Sequence, residues 1–269
     1  MIERCLDPAW QGRILEYIGD QYLQAPFFYM NLKQYGTTNE NVIVWADMVD
    51  GQLLGAYLQY YDCLHFFTKK CSYPTEKILD MIDAIGPRVV IVLGDIGNQI
   101  EPLLGNAYIA ERSYAIDLTG MSCEGIRSTV ELACEEDLEQ FVDLMLNDPE
   151  YRDTYDRTVL CNQLRARFAD HFSRFFLIRK EGKIAAVYST YGETEQMALV
   201  SGLLVHPEYR RQGLASDIVR YACSMLHDEG KRCIGFINTQ NTASLELHKN
   251  NGATVYSALC KFVKKTGES

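Results

Sequence analysis

The chain has 269 residues, of which 47% are hydrophobic and 23% are charged. At about 150 residues per domain, this length fits one large domain or two small ones. The apolar content excludes a mainly disordered chain. A net charge of -10 disfavours general binding to nucleic acid or anionic membranes, because both polyanions would repel the protein. A small anionic ligand held by a local basic cluster remains compatible with this charge.

The sequence carries no signal for membrane insertion or secretion. Its longest apolar run, residues 89–93, is far below the roughly 20 residues of a membrane span. The N-terminal segment contains acids and no apolar stretch, so we expect no signal peptide. The cysteines are scattered without a CxxC pair, which predicts reduced thiols in the cytoplasm, most of them small buried side chains. They are Cys5, Cys63, Cys71, Cys123, Cys134, Cys161, Cys223, Cys233 and Cys260.

The first 120 residues predict a mixed α/β order. Helical patterns cover about 10–23 and 26–34, and a hairpin at 42–61 has Asp50-Gly51 at its tip. Further strands are predicted at 63–69, 88–94 and 107–118. Helices are predicted at 76–86 and 96–106 between them.

The remaining residues repeat this order more clearly. Strands are predicted at 128–134, 197–205, 232–238 and 253–263, with a hairpin around Glu181-Gly182. Helices are predicted from the acidic start at 135, at 157–169, from 214 to a C-cap near Gly230, and at 241–252.

This repetition indicates an internal duplication. Gly51 and Gly182 hold the same place in the two hairpins, and Arg88 and Arg232 open corresponding strands. The Gly- and Ser-containing segment 119–128 is the natural linker. We therefore expect an α/β (α+β) fold of two mixed sheets flanked by helices, with domains at 1–122 and 123–269. Chance likeness between two ordinary α/β halves is the alternative.

The segment between Val205 and Ser216 has the properties of a phosphate site. A helix N-terminus offers unpaired N–H groups and a partial positive charge. Gly213 and Ala215 let a phosphate approach the backbone, and Arg210 and Arg211 can add charge-assisted hydrogen bonds. The alternative is a solvated basic turn.

The same segment resembles a known family. Arg210 to Ala215 (RRQGLA) matches R/Q-x-x-G-x-G/A, the pyrophosphate signature of the GNAT superfamily of N-acetyltransferases. The preceding LLVHPEY resembles that family's fourth strand and its lead-in. Residues 241–253 resemble its N-x-x-A-x-x-x-Y-x-x-x-G-F helix. The resemblance covers 128–265 and, more faintly, the first half, so the layout is similar to glycine N-acyltransferase-like proteins with a degenerate copy followed by an intact one.

The resemblance implies a CoA site and a reaction. Acetyl-CoA, the co-substrate, would lie between splayed strands, and a primary amine would attack its thioester directly in a ternary complex. The residues implied in cofactor binding lie on the fourth strand, in the phosphate turn and in the loop after the following strand. They are Leu203, Leu204, Val205, Arg210, Arg211, Gln212, Gly213, Leu214, Ala215, Ser216, Asn238, Asn241 and Ser244.

The catalytic positions depart from the family pattern. His248 stands where the family has the Tyr that protonates the thiolate, and an imidazole can donate a proton; the alternative is a helix-surface histidine. Residues 197–205 contain no acid, so Glu193 and Glu195 are the nearest candidates for the base, with Glu195 preferred and a water chain as an alternative. Ala253 replaces the usual Phe and Asn251 a usual Leu, which predicts thinner packing around this helix.

Acceptor recognition is less determined by the sequence. Tyr188 and Tyr191 could line the acceptor pocket, although packing in the sheet is the alternative for both. The histidines form no metal-spaced set, so we expect no metal, and no GxSxG or GxGxxG occurs. We predict an acetyl-CoA-dependent N-acetyltransferase for a small-molecule or peptide amine, acting as a monomer or homodimer. The N-terminal half is expected to be a structural partner at the acceptor cleft.

Two other function classes stay open at this point. A non-catalytic acyl-CoA-binding or regulatory module would explain the missing Tyr and acid. A scaffold that has lost CoA binding is the other, and the intact Arg210, Gly213 and Ala215 argue against it.

Overall fold

The computed structural model describes residues 1–70 and 72–265, and Cys71 therefore lies outside the described residues. By contacts, the chain divides into unit 1, residues 1–115 with 256–269, and unit 2, residues 116–255. The elements follow the α/β order that the sequence predicts, and each unit contains both parallel and antiparallel strand pairs.

The described strands of unit 1 lie in the order β1-β2-β3-β4-β5-β12-β6. Its strands are β1 (Ile2–Arg4), β2 (Val42–Val49), β3 (Gln52–Tyr60), β4 (Cys63–Phe67), β5 (Val89–Leu93), β6 (Tyr108–Asp117) and β12 (Thr254–Lys264). Its helices are α1 (Ala9–Ile18), α2 (Pro26–Tyr35), α3 (Thr75–Ile85) and α4 (Gly94–Leu104). The main core lies where α3 and α4 cover the sheet through Ile78, Ile82, Ile96 and Ile100.

The C-terminal strand β12 belongs to unit 1 because it pairs with β5, from Leu259–Leu93 to Val263–Val89. Its Cys260 and Phe262 are buried in the core of that unit. The compact units therefore differ from the predicted division at 122/123 in two ways: they divide at 115/116, and unit 1 includes this strand.

Unit 2 has the strand order β11-β10-β9-β8-β7. Its strands are β7 (Glu131–Leu132), β8 (Phe175–Lys180), β9 (Lys183–Glu193), β10 (Met197–Val205) and β11 (Arg232–Asn238). Its helices are α5 (Leu138–Met145), α6 (Pro149–Thr154), α7 (Arg157–Ala169), α8 (Leu214–Asp228) and α9 (Thr242–Asn250). Helices α5 and α7 cover one face of the sheet, and α8 covers the other with Ile218, Ala222 and Leu226.

The two predicted hairpins are confirmed, and the same turn closes both. Asp50 and Gly51 have φ of 50° and 77°, and Glu181 and Gly182 have φ of 51° and 76°. Two successive positive φ values define the type I′ turn, whose twist matches that of the strands it joins. The predicted strand at 128–134 is reduced to β7, and β1 and α6 were not predicted.

Candidate functional site

Strands β10 and β11 separate partway along their length. Their parallel pairing runs from Met197–Arg232 to Val200–Gly235 and ends there among the described residues. Strand β10 continues to Val205 and β11 continues to Asn238. Because β10 does not pair with β11 beyond Val200, peptide groups of residues 201–205 can hydrogen-bond to an extended ligand in the gap.

A bulge in β10 lies where the gap opens. The register of β10 on β9 shifts between Ser201 and Leu204, and Gly202 has a φ of 69°. The hydroxyl of Ser189 donates to the Ser201 carbonyl at 3.1 Å and holds this geometry. A Cβ on Gly202 would lie 3.2 Å from that hydroxyl and 3.7 Å from the hydroxyl of Tyr151. This role of Gly202 was not predicted, although a glycine inside a strand pattern is a signal for a bulge.

The turn after β10 leads the chain into α8. Arg210 Nε donates to the carbonyl of Val205 at 3.1 Å, and Gln212 Nε2 donates to the carbonyl of Glu208 at 3.4 Å. Arg211 and Gly213 have φ of 64° and 85°, and both are exposed. The hydrogen bond from Arg210 therefore fixes the end of β10. The direction of the Arg211 side chain is instead set by the left-handed backbone conformation of that residue.

The N-terminus of α8 is open to an anion. Gly213 is its N-cap and provides no side-chain acceptor, so the first N–H groups of the helix lack the usual capping oxygen. A Cβ built on Gly213 meets no described atom within 4 Å. This combination of backbone donors and free space fits a phosphate.

Some of the predicted ligands contribute backbone rather than side chains. Leu214 is buried, and the hydroxyl of Ser216 donates to Asn251 Oδ1 at 2.5 Å. Asn251 also accepts from Arg220 Nε at 2.8 Å. The expected thinner packing at Asn251 is therefore offset by hydrogen bonds that join the start of α8 to the end of α9.

The asparagines near β11 hold local turns. Asn238 Oδ1 accepts from the Gln240 N–H at 2.9 Å, and Asn241 Oδ1 caps α9 by accepting from the Ser244 N–H at 3.0 Å. Their side-chain carbonyls are thus engaged in shaping the loop. Binding of a ligand by these residues would use the amide N–H groups.

His248 is held in one orientation. Its side chain is buried, and Nδ1 lies 2.7 Å from the carbonyl of Ser244, which requires a proton on Nδ1. Burial lowers the pKa of His248 below its ordinary value, and the hydrogen bond to Ser244 opposes this only in part. A neutral ring with the proton on Nδ1 has a lone pair on Nε2, so the geometry favours an acceptor or a base over the expected acid.

The two acidic candidates lie away from the gap. Glu193 binds Arg174 at 2.6 Å and Lys231 at 2.8 Å. Burial alone would raise the pKa of Glu193, but hydrogen bonds from these two cations outweigh it and lower the pKa. Glu195 is exposed in the turn before β10. Leu203 lies eight residues further along the chain, a separation of up to roughly 26 Å at about 3.3 Å per strand residue, which argues against a role of Glu195 as base.

The two tyrosines make structural contacts. Tyr188 is 2% exposed, and its burial raises the pKa well above the ordinary value. The ring of Tyr191 lies 4.2 Å from the guanidinium of Arg167, and its carbonyl accepts from Ser173 Oγ at 2.8 Å. For Tyr188 the packing alternative is the better description.

The described residues contain no group of three or more His, Cys, Asp or Glu side chains arranged to hold a metal ion. Across residues 1–70 and 72–265, no helix combines the length and apolar character needed to cross a membrane.

Comparisons with known proteins bear on the same segment. Residues 133–253 match the model of the acetyltransferase (GNAT) family. Among curated proteins, none matches the sequence.

Solved structures match nearly the whole chain at low sequence identity. A protein from Drosophila aligns with a TM-score of 0.72 and 12% identity over 98% of each chain. A tandem GNAT protein from the clavulanic acid biosynthesis pathway aligns with a TM-score of 0.65 and 12% identity over 100% of both chains. A GNAT-family acetyltransferase from Colwellia psychrerythraea aligns with a TM-score of 0.63 and 14% identity, over 98% of this chain and 100% of that one. These likenesses concern the fold. Residues 133–253 thus match the GNAT acetyltransferase family, and the fold of the chain resembles that of a tandem GNAT protein.

Proposed function

We propose that this protein is an N-acetyltransferase that moves an acetyl group from acetyl-CoA to a primary amine by direct attack in a ternary complex. The observation that carries the proposal is the junction of the two features described above. An unpaired strand edge at 201–205 leads directly into a helix whose N-terminus has no side-chain cap. A ligand with an extended arm that ends in a diphosphate matches both the strand edge and the helix N-terminus.

The residues present fit acyl-CoA. The first N–H groups of α8 and the exposed Arg211 face a region where even a Cβ on Gly213 would meet no described atom within 4 Å. In a chain with a net charge of -10, these donors supply the local attraction that a diphosphate needs. The backbone of Leu203 to Val205 and the amides of Asn238 and Asn241 would hold the pantetheine arm.

Bound acyl-CoA would supply an activated thioester, and the chain would supply position and polarisation. The bulge at Gly202 turns peptide groups of β10 toward the gap, where an N–H can stabilise charge on a carbonyl oxygen. We still propose His248 as a catalytic residue, but as a proton acceptor and not as the acid that the resemblance implies. Proton transfer through water is the other route.

The acceptor and the assembly are part of the proposal. We propose a small-molecule or peptide amine as acceptor and a monomer or homodimer as the active form. The eight cysteines that the structure describes are free thiols, which supports a cytoplasmic location.

The test compares acetyl-CoA binding by isothermal titration calorimetry in matched variants. Arg211→Glu should weaken binding at least about tenfold, because it replaces a charge-assisted hydrogen bond by repulsion. Lys183→Glu makes the same charge change at the exposed β8–β9 turn and should leave binding unchanged. Gly213→Trp should weaken binding in the same way, with Gly182→Trp as control, since both glycines have positive φ and open surroundings.

Turnover is measured separately by release of free thiol over a panel of primary amines. Thiol release with at least one amine supports the transferase. Binding without any turnover would instead support the acyl-CoA-binding module. Unchanged affinity in both Arg211→Glu and Gly213→Trp would contradict the placement of the site.

A further inference from the structure

The hydroxyl of Tyr151 lies at the bulge in β10. The position that a Cβ on Gly202 would take is 3.7 Å from Tyr151 Oη. Tyr151 belongs to the short helix α6, and its half-buried ring packs against the core under α5 and α7. An element outside the sheet therefore brings a hydroxyl to the strand segment at which the proposed thioester contacts begin.

Tyr151 approaches the sheet from the face opposite to α8. Helices α5 and α7 cover that face, and the methyl group of Met145 on α5 is a further neighbour of the Gly202 Cβ position, at 3.7 Å. In the proposed function the diphosphate lies at the start of α8 and the pantetheine arm lies in the gap. An amine must then reach the thioester carbon from a side that the co-substrate leaves open, and the face of α5 and α7 is such a side.

Three side chains come nearest to the Gly202 Cβ position, those of Ser189, Met145 and Tyr151. The Ser189 hydroxyl donates to the Ser201 carbonyl and holds the bulge, and Met145 ends in a methyl group. A tyrosine hydroxyl can accept one hydrogen bond while it donates another. Of the three side chains, Tyr151 thus has the oxygen suited to an N–H group of a substrate.

We propose that Tyr151 positions the acceptor: its hydroxyl oxygen accepts a hydrogen bond from an N–H of the attacking primary amine and so directs the nitrogen lone pair at the thioester carbon. This inference rests on the proposed function. Tyr151 neither gains nor loses a proton in this role. The nitrogen bonds to the acetyl carbon, the C–S bond breaks, and the proton of the nitrogen passes through His248 or water to the thiolate.

The test measures steady-state kinetics with tyramine, spermidine and glycine as amine probes, and acetyl-CoA binding by calorimetry. Tyr151→Phe removes only the hydroxyl and should raise KM for the amine roughly tenfold, as one lost hydrogen bond allows, with unchanged affinity for acetyl-CoA. Tyr155→Phe is the matched control, since the exposed ring of Tyr155 stacks on that of Tyr151 with centroids 6.1 Å apart. It should change neither quantity.

Ser189→Ala separates binding of the amine from the geometry of the bulge. It removes the other hydroxyl beside Gly202, the one that holds the Ser201 carbonyl. This variant should lower kcat more than it changes KM for the amine, whereas Tyr151→Phe should change KM more than kcat. Titration of the same amines into the protein saturated with CoA measures acceptor affinity directly, and that affinity should fall in Tyr151→Phe alone.

An unchanged KM in Tyr151→Phe, or an equal rise in Tyr155→Phe, would overturn the role of Tyr151 and leave acyl transfer by the wild-type protein standing. A loss of acetyl-CoA affinity in Tyr151→Phe would also overturn it, because the hydroxyl would then be structural. If the wild-type protein turned over none of the three amines and no other primary amine, the proposed function itself would fail, and the role of Tyr151 with it.

Discussion

Gly202 shows how one residue sets the geometry of the site in unit 2. Its φ of 69° is a conformation that costs a residue with a Cβ about 1–2 kcal/mol. The resulting bulge redirects the peptide groups of β10 at the point where β11 departs. The absence of a side chain also leaves room for the hydroxyls of Ser189 and Tyr151.

Gly202→Ala should therefore destabilise unit 2 by about 1–2 kcal/mol and reduce kcat for acyl transfer more than it reduces affinity for acetyl-CoA. The reason is that in the proposed function the bulge positions the N–H that would polarise the thioester, whereas the proposed diphosphate site lies at the start of α8. Urea unfolding and steady-state kinetics measure the two effects. Gly182→Ala has the same backbone requirement at φ 76° but lies in a hairpin turn, so it should change stability and not kcat. Equal kcat in the two variants would refute the role of the bulge.

At the scale of elements, the contact between α8 and α9 depends on hydrogen bonds at Asn251. This side chain accepts from Ser216 and Arg220 on α8 and donates to the Leu247 carbonyl on its own helix at 2.7 Å. Asn251 thus fixes the first turn of α8, whose N–H groups form the proposed anion site, against the helix that carries His248.

Asn251→Leu, which restores the residue usual in the family, should destabilise the protein by about 1–3 kcal/mol, because it leaves Ser216 and Arg220 without their acceptor. Affinity for acetyl-CoA should fall as the start of α8 loosens. Thermal unfolding and calorimetry measure these changes. Asn250→Leu, at the exposed last residue of α9, is the control and should have little effect. A more stable Asn251→Leu variant would show that packing outweighs the hydrogen bonds.

Local signals determined most elements in advance. The predicted bounds of α7, β10 and β11 agree with the structure because periodicity, acids at helix starts and terminal glycines act within a few residues. The turn between β10 and α8 was predictable for the same reason. Features that depend on distant residues were not predictable, because they arise only when separate strands and helices pack. They are the ion pairs of Glu193, the position of the proton on His248 and the ring of His65 without a hydrogen-bond partner among the described residues.

At the scale of the chain, the most informative feature is the place of β12. This strand follows unit 2 in sequence and completes the sheet of unit 1. Helix α4 packs closely on it: a Cβ on Gly97 would come within 2.3 Å of the Cβ of Cys260. Removing β12 would uncover β5 along its whole length.

A fragment of residues 1–122 should therefore aggregate, because the edge of β5 and the apolar residues Val90 and Val92 lose their cover. Joining residues 253–265 to residues 1–115 through a flexible linker should restore a soluble, folded unit. Size-exclusion chromatography and circular dichroism distinguish the two outcomes. A monomeric, folded 1–122 fragment would show that β12 is dispensable for unit 1.

The same arrangement has a consequence for biosynthesis. A chain leaves the ribosome from its N-terminus, and N-terminal domains generally fold first. Here unit 1 lacks β12 until residues 116–255 have been translated. Unit 2, in contrast, has all its strands as soon as it emerges. The last unit to complete its fold is therefore the first to be translated, and a nascent chain stalled near residue 255 would hold all strands of unit 2 and an incomplete unit 1.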